Sequence, residues 1–176
     1  MDFTYTFLAA VMCLLVPVEA RPNRRRTATA ISLQSFLRKV DDCQAGNLLQ
    51  IHFDGGRTQA KCDGTSTKSL TTKFTIEDTR GKKCIQYTDK QGGNTRYYAL
   101  KVIDRATVTP AVTFMNERCN SSTADAFLFD EERQPPYRYY KNTNLYLGVS
   151  KNCTDERLSL ICANIGDRRC KFRWRS

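Results

Sequence analysis

An all-β fold with threefold internal symmetry, a β-trefoil, is what three observations in the sequence predict. First, Leu48-Leu49-Gln50-Ile51 runs through His52-Phe53 into Asp54-Gly55-Gly56, where the glycines supply the positive φ angles that reverse a chain. Second, Tyr97-Tyr98-Ala99-Leu100 follows forty-nine residues later with a large-large-small-aliphatic shape, and Tyr146-Leu147-Gly148-Val149 follows forty-nine residues after that. Third, from Asn47 onward the chain is a succession of short runs rich in Thr, Tyr, Phe, Val and Ile, cut by clusters of Gly, Asn, Asp and Lys. A repeating unit that cannot bury its apolar face alone must associate with its copies, and three strand-and-turn units around one axis make a trefoil.

The 176 residues suit a single domain with a sizeable core. Residues 1–20 read as a secretory signal peptide: the apolar run 7–16 is too short to span a bilayer, and Val18-Glu19-Ala20 ends it with a small residue suited to cleavage. Residues 21–42 read as a basic arm and lead-in. Arg21-Pro22-Asn23-Arg24-Arg25-Arg26 is a solvated tail, a protease-processing site or an extra contact for polyanions. Within 32–40, Leu33, Phe36, Leu37 and Val40 have helical spacing behind a capping Ser32, which predicts a short helix. The trefoil itself is expected from about Cys43 to the end, residues 43–176.

Eleven strands are predicted there: 48–53, 58–62, 72–76, 84–88, 97–103, 108–116, 126–129, 137–140, 145–149, 158–162 and 170–174, with a twelfth required by the symmetry. Gln91-Gly92-Gly93-Asn94 and Asn164-Ile165-Gly166-Asp167 are expected turns. The expected core includes Leu49, Ile51, Tyr98, Leu100, Phe127, Phe129, Leu147 and Val149. Asp130-Glu131-Glu132 reads as an exposed loop charge run.

Loss of residues 1–20 removes Asp2 and Glu19 but no cation, so 28 Lys and Arg stand against 16 Asp and Glu, a net +12. In the extracellular space such a charge points to sulfated glycans or acidic cell surfaces rather than nucleic acid. Seven cysteines then remain, Cys43, Cys62, Cys84, Cys119, Cys153, Cys162 and Cys170, none in a close C-x-x-C pair. Structural disulfides are expected, with the connectivity open and at least one thiol left over. Asn120-Ser121-Ser122 and Asn152-Cys153-Thr154 are N-glycosylation acceptors.

Catalysis finds little support. The single histidine, His52, sits in a strand-to-turn stretch away from any candidate nucleophile. There is no phosphate-cradling loop, dinucleotide fingerprint or paired-histidine metal motif. The chain reads as a binding protein without enzymatic activity, cofactor or metal, and without membrane insertion.

In residue order the chain resembles the fibroblast growth factor family. Cys43-Gln-Ala-Gly46-Asn-Leu-Leu49-Gln50-Ile51-His52-Phe-Asp54-Gly55 is similar to the family's first core strand and its Leu-Gln-Ile-His-Pro-Asp-Gly turn, with Phe53 where Pro is common. Arg96-Tyr97-Tyr98-Ala99-Leu100 resembles Arg-Tyr-Leu-Ala-Met, and Asp125-Ala126-Phe127-Leu128-Phe129-Asp130 resembles Glu-Cys-Phe-Phe-Phe-Glu. Tyr137-Arg-Tyr-Tyr140 and Leu145-Tyr146-Leu147-Gly148-Val149 follow in the expected order. The resemblance implies a β-trefoil ligand that binds a fibroblast growth factor receptor or related receptor tyrosine kinase, with heparan sulfate as co-receptor.

It further implies receptor contacts at Tyr137 and Tyr140, and a heparin site in the loops from Ser150 to Lys171 formed by Lys151, Arg157, Arg168, Arg169 and Lys171. Departures are Asp42 for a receptor-contacting Tyr, Ala126 for the signature Cys, Pro136 for Asn, and Arg173 for an apolar receptor-facing Leu. Without the signature Cys, Cys43 lacks its familiar neighbour, and Cys119 is one candidate for a new partner, the connectivity staying open. The alternatives are another trefoil class: a lectin, a protease inhibitor or an interleukin-one-like cytokine. The Gln-x-Trp motif common in lectin trefoils is absent, Trp174 being the only Trp.

Overall fold

The computed structural model describes residues 29–36, 46–149, 157–162 and 164–176. The expected signal, the arginine arm, Asp42, Cys43, Lys151, Asn152 and Cys153 lie outside them. Among the described residues there are twelve strands: β1 (Ser32–Ser35), β2 (Leu48–Asp54), β3 (Arg57–Gly64), β4 (Thr75–Thr79), β5 (Lys82–Asp89), β6 (Arg96–Val102), β7 (Val112–Asn116), β8 (Leu128–Gln134), β9 (Tyr137–Asn142), β10 (Leu145–Val149), β11 (Leu158–Cys162) and β12 (Phe172–Arg175). They form a β-trefoil.

Each repeat contributes its first and fourth strands to a barrel and its second and third to a hairpin. Antiparallel pairs β1–β12, β12–β9, β9–β8, β8–β5 and β5–β4 run round the barrel. It closes where Ile31 and Phe74 exchange backbone hydrogen bonds of 2.8 Å just ahead of β1 and β4, leaving these strands no open edge. The hairpins β2–β3, β6–β7 and β10–β11 meet one another through the bridges Lys61–Arg157 and Ala111–Ser159. Thr58 and Thr113 also donate their hydroxyls to the Phe114 and Thr58 carbonyls, joining β3 to β7.

The forty-nine-residue period is the spacing of β2, β6 and β10, the second strand of each repeat. Leu49, Tyr98 and Leu147 occupy one buried position of the three copies, and Ile51, Leu100 and Val149 the next. Every residue expected in the core is buried, including Phe127 and Phe129. The small residue of the pattern has a cause in the third copy. A Cβ at Gly148 would lie 2.6 Å from the Cys170 sulfur and 2.9 Å from the Ile161 side chain. In the β2–β3 turn both Gly55 and Gly56 have positive φ, 52° and 80°, as a tight two-residue hairpin requires.

Several expectations need correction. Residues 32–35 are strand, not helix: Leu33 points into the core, Gln34 is only partly buried, and pairing with all four residues of β12 overrides a short helical spacing. The sheet therefore begins upstream of Cys43. Residues 70–72, 125–127 and 168–170 are single 3-10 turns, so β4, β8 and β12 start later than the runs that contain them suggested. Only 112–116 of the expected strand 108–116 is extended, and Val108 is 92% exposed.

The acidic run 130–132 is not a loop but part of β8. Asp130 pairs with Lys82 at 3.2 Å, and Glu132 accepts the Tyr146 hydroxyl at 2.9 Å. The Glu131 side chain is only 4% exposed and is matched by Arg133 at 2.6 Å and Arg138 at 2.7 Å. A buried carboxylate left unpaired is costly, so these arginines are its structural requirement. Cys119 is bonded to Cys84, across 35 residues of chain, and not to Cys43.

Candidate functional site

β9 begins at Tyr137, and strand alternation sends successive side chains to opposite sides. Tyr140 points into the barrel, is fully buried beside Phe172, and its hydroxyl accepts the Trp174 indole N–H at 2.7 Å. Burial pushes its ionisation up, opposed by that hydrogen bond. A side chain with no exposed surface cannot anchor a receptor, so the role expected for Tyr140 is corrected to core packing. Tyr139 is also buried, in a small cluster with Tyr146 and Cys170. Tyr137 sits at that cluster's edge, half-buried and with surface to offer.

The same cluster positions the candidate cations. Because position 148 has no side chain, Cys170 can approach β10, and its burial there fixes the 3-10 turn Arg168–Cys170. Asp167 caps this turn: its carboxylate accepts the Arg169 backbone N–H at 2.9 Å and the Arg169 guanidinium at 2.6 Å. These bonds hold Arg169 charged even more firmly than usual. They also pair its charge with that of Asp167.

Arg168 and Lys171, on either side, converge on an aromatic floor. The Phe36 and Tyr137 rings meet edge to face with centroids 5.0 Å apart. Arg168 lies 5.7 Å from the Phe36 centroid, and the Lys171 ammonium is 5.6 Å from Phe36 and 5.5 Å from Tyr137. The Phe36 N–H donates to the Lys171 carbonyl at 2.9 Å, which ties floor to cations. Cation–π contacts of this kind are worth about 0.5–1 kcal/mol where exposed. Their effect is to hold two positive charges over one apolar surface.

Arg157 stands apart. It is exposed at the far end of β11, where with Arg57, Gln59, Thr113 and Ser159 it lines a cavity of about 620 Å³ between the hairpins. Asn120 is exposed beside the disulfide loop, its side-chain oxygen accepting the Ser122 N–H at 2.8 Å. Phe36 is a site residue that the sequence did not mark; helical spacing assigned it to a lead-in, and only its contact with β9 shows its place. Among the described residues no cluster of His, Cys, Asp and Glu could hold a metal, and no helix is long and apolar enough to cross a membrane.

No family model and no curated protein matches this chain. Among solved structures it is similar to a designed threefold-symmetric protein, ThreeFoil, with a TM-score of 0.56 and 12% identity over 84% of this chain and 98% of that one. It is also similar to the Macrolepiota procera ricin B-like lectin solved in complex with lactose, with a TM-score of 0.57 and 9% identity over 84% and 94% of the two chains. At such identities the likeness establishes the β-trefoil fold and nothing finer.

Proposed function

We propose that this chain is a secreted ligand of the fibroblast growth factor type, which engages a receptor tyrosine kinase with heparan sulfate as co-receptor. The observation that carries the glycan half is the pair of cations, Arg168 and Lys171, fixed over Phe36 and Tyr137 on one rim of a trefoil. Arginine suits sulfate because its planar fork donates two parallel hydrogen bonds, and lysine adds a point charge. The receptor half is supported by the ordered resemblance and by Tyr137, an aromatic with exposed surface at the same rim. Asn120, exposed on its loop, is available for a glycan.

Changing Arg168 and Lys171 together to Ala is expected to lower the salt at which the protein leaves a heparin column, since attraction between exposed charges is screened by salt. Elution at an unchanged salt would remove this rim from the glycan site. A lectin is the second reading, favoured by the fold shared with a ricin B-like lectin that binds lactose. It predicts retention on a galactoside matrix and release by free lactose. The growth-factor reading predicts flow-through.

A further inference from the structure

The outer face of β12 carries a second set of cations. Phe172 and Trp174 face the barrel, so the alternating Lys171, Arg173 and Arg175 share the opposite face. Successive members are about 6–7 Å apart along the strand. Arg173 is exposed and lies directly opposite Gln34 of β1. The Arg175 Nε–H donates to the Gln34 side-chain oxygen at 2.8 Å, and the Gln34 amide donates to Asn47 at 2.9 Å. This chain of bonds fixes one wall of an open groove of about 770 Å³. Lys68 and the hydroxyl residues 65–67 supply the other wall, and among the described residues no carboxylate side chain lines it.

From this we propose that the groove along β12 is an extended site for a sulfated glycan chain, entered from the Phe36–Tyr137 rim at Lys171 and running past Arg173 and Arg175 to Lys68. The inference rests on the sulfated-glycan reading above and gives it a path and a length. Arginine forks match sulfates, whereas the amides and hydroxyls between them match sugar hydroxyls and ring oxygens. A single-stranded nucleic acid fits less well, because base stacking needs an open aromatic face. The aromatic here, Trp174, has the Arg138 guanidinium 3.4 Å from its ring centroid.

The experiment measures binding of the whole protein to a heparin-derived disaccharide and decasaccharide. Three forms are compared: the unmodified chain, a groove variant with Lys68, Arg173 and Arg175 changed to Ala, and a control with Arg57, Lys90 and Arg96 changed to Ala. The unmodified chain should bind the decasaccharide at least about tenfold more tightly than the disaccharide, and its log K against log salt should be steeper than the groove variant's by roughly one for each cation removed. The groove variant should lose most of the length advantage and the control should keep it. If the groove variant melts early, Arg173→Ala alone, at an exposed position with no side-chain partner among the described residues of the groove wall, should still weaken decasaccharide binding measurably.

Equal losses in the groove variant and the control overturn the groove while leaving the glycan reading intact. Failure of the unmodified chain to bind either fragment overturns both. Displacement of the decasaccharide by a single-stranded oligonucleotide at equal charge concentration also overturns the proposal, in favour of a site for nucleic acid.

Discussion

Phe114→Ala is expected to destabilise the fold by roughly 3–5 kcal/mol, the range for truncating a large buried aromatic. The ring is fully buried and stacks on Phe74 with centroids 5.3 Å apart and planes 4° from parallel. Its backbone sits in β7, opposite Leu100 of β6, and its carbonyl accepts the Thr58 hydroxyl from the neighbouring hairpin. Truncation therefore opens a void where two repeats meet, and the β6 ladder on one side and the Thr58 hydroxyl on the other resist collapse into it. Urea unfolding checks this: the midpoint should fall with little change in slope. A loss under about 1 kcal/mol would mean that the ring is not the packed element described here.

Removing the Cys84–Cys119 disulfide is the second large effect. Cys84 is fully buried in the barrel strand β5, and Cys119 lies in the connection between β7 and β8. Their bond closes a loop with a sequence separation of 35 residues, for which the chain-entropy model gives a contribution of about 4 kcal/mol, within the range of about 2–4 kcal/mol typical of disulfides. Other contacts hold the same connection. The Gln86 side chain accepts the Cys119 N–H at 2.8 Å, and Arg80 donates to the Thr123 carbonyl at 2.6 Å. The fold should therefore survive with lower stability rather than fail. Replacing both cysteines by Ala is cleaner than chemical reduction, because Cys170 is also disulfide-bonded. Equal unfolding midpoints for the Ala pair and the parent would show that the cross-link adds nothing.

The architecture was legible because three strands face the same packing demand. Leu49, Tyr98 and Leu147 return at one spacing since each enters the core at the same place in its repeat, and Ala99 and Gly148 keep the neighbouring position small. β1 was not legible. Ser-Leu-Gln-Ser offers a single apolar side chain, and what makes it a strand is β12, more than a hundred residues away. Nor could β8 be read through its acids, because Glu131 looks like a solvated charge until Arg138 is placed against it.

At the candidate site the cations could be read from the sequence and their setting could not. Tyr139 and Tyr140 are adjacent and both buried, on opposite faces of β9, so the local pattern gave no parity from which to tell Tyr140 from Tyr137. Arg168, Arg169 and Lys171 look equivalent in the chain, yet Asp167 takes Arg169 while Phe36 gathers the other two. The alternation Lys171-x-Arg173-x-Arg175 was a readable signal for the β12 groove. It gains meaning only when Phe172 and Trp174 are known to point inward.

The most direct test of the ligand proposal is capture of the purified chain by a panel of receptor tyrosine kinase ectodomains, with and without heparin, alongside a Tyr137→Ala variant. Retention by at least one ectodomain is expected, stronger when heparin is present, and weakened in the variant at unchanged melting temperature. Capture by none of them under either condition, from protein shown to be folded, would contradict it.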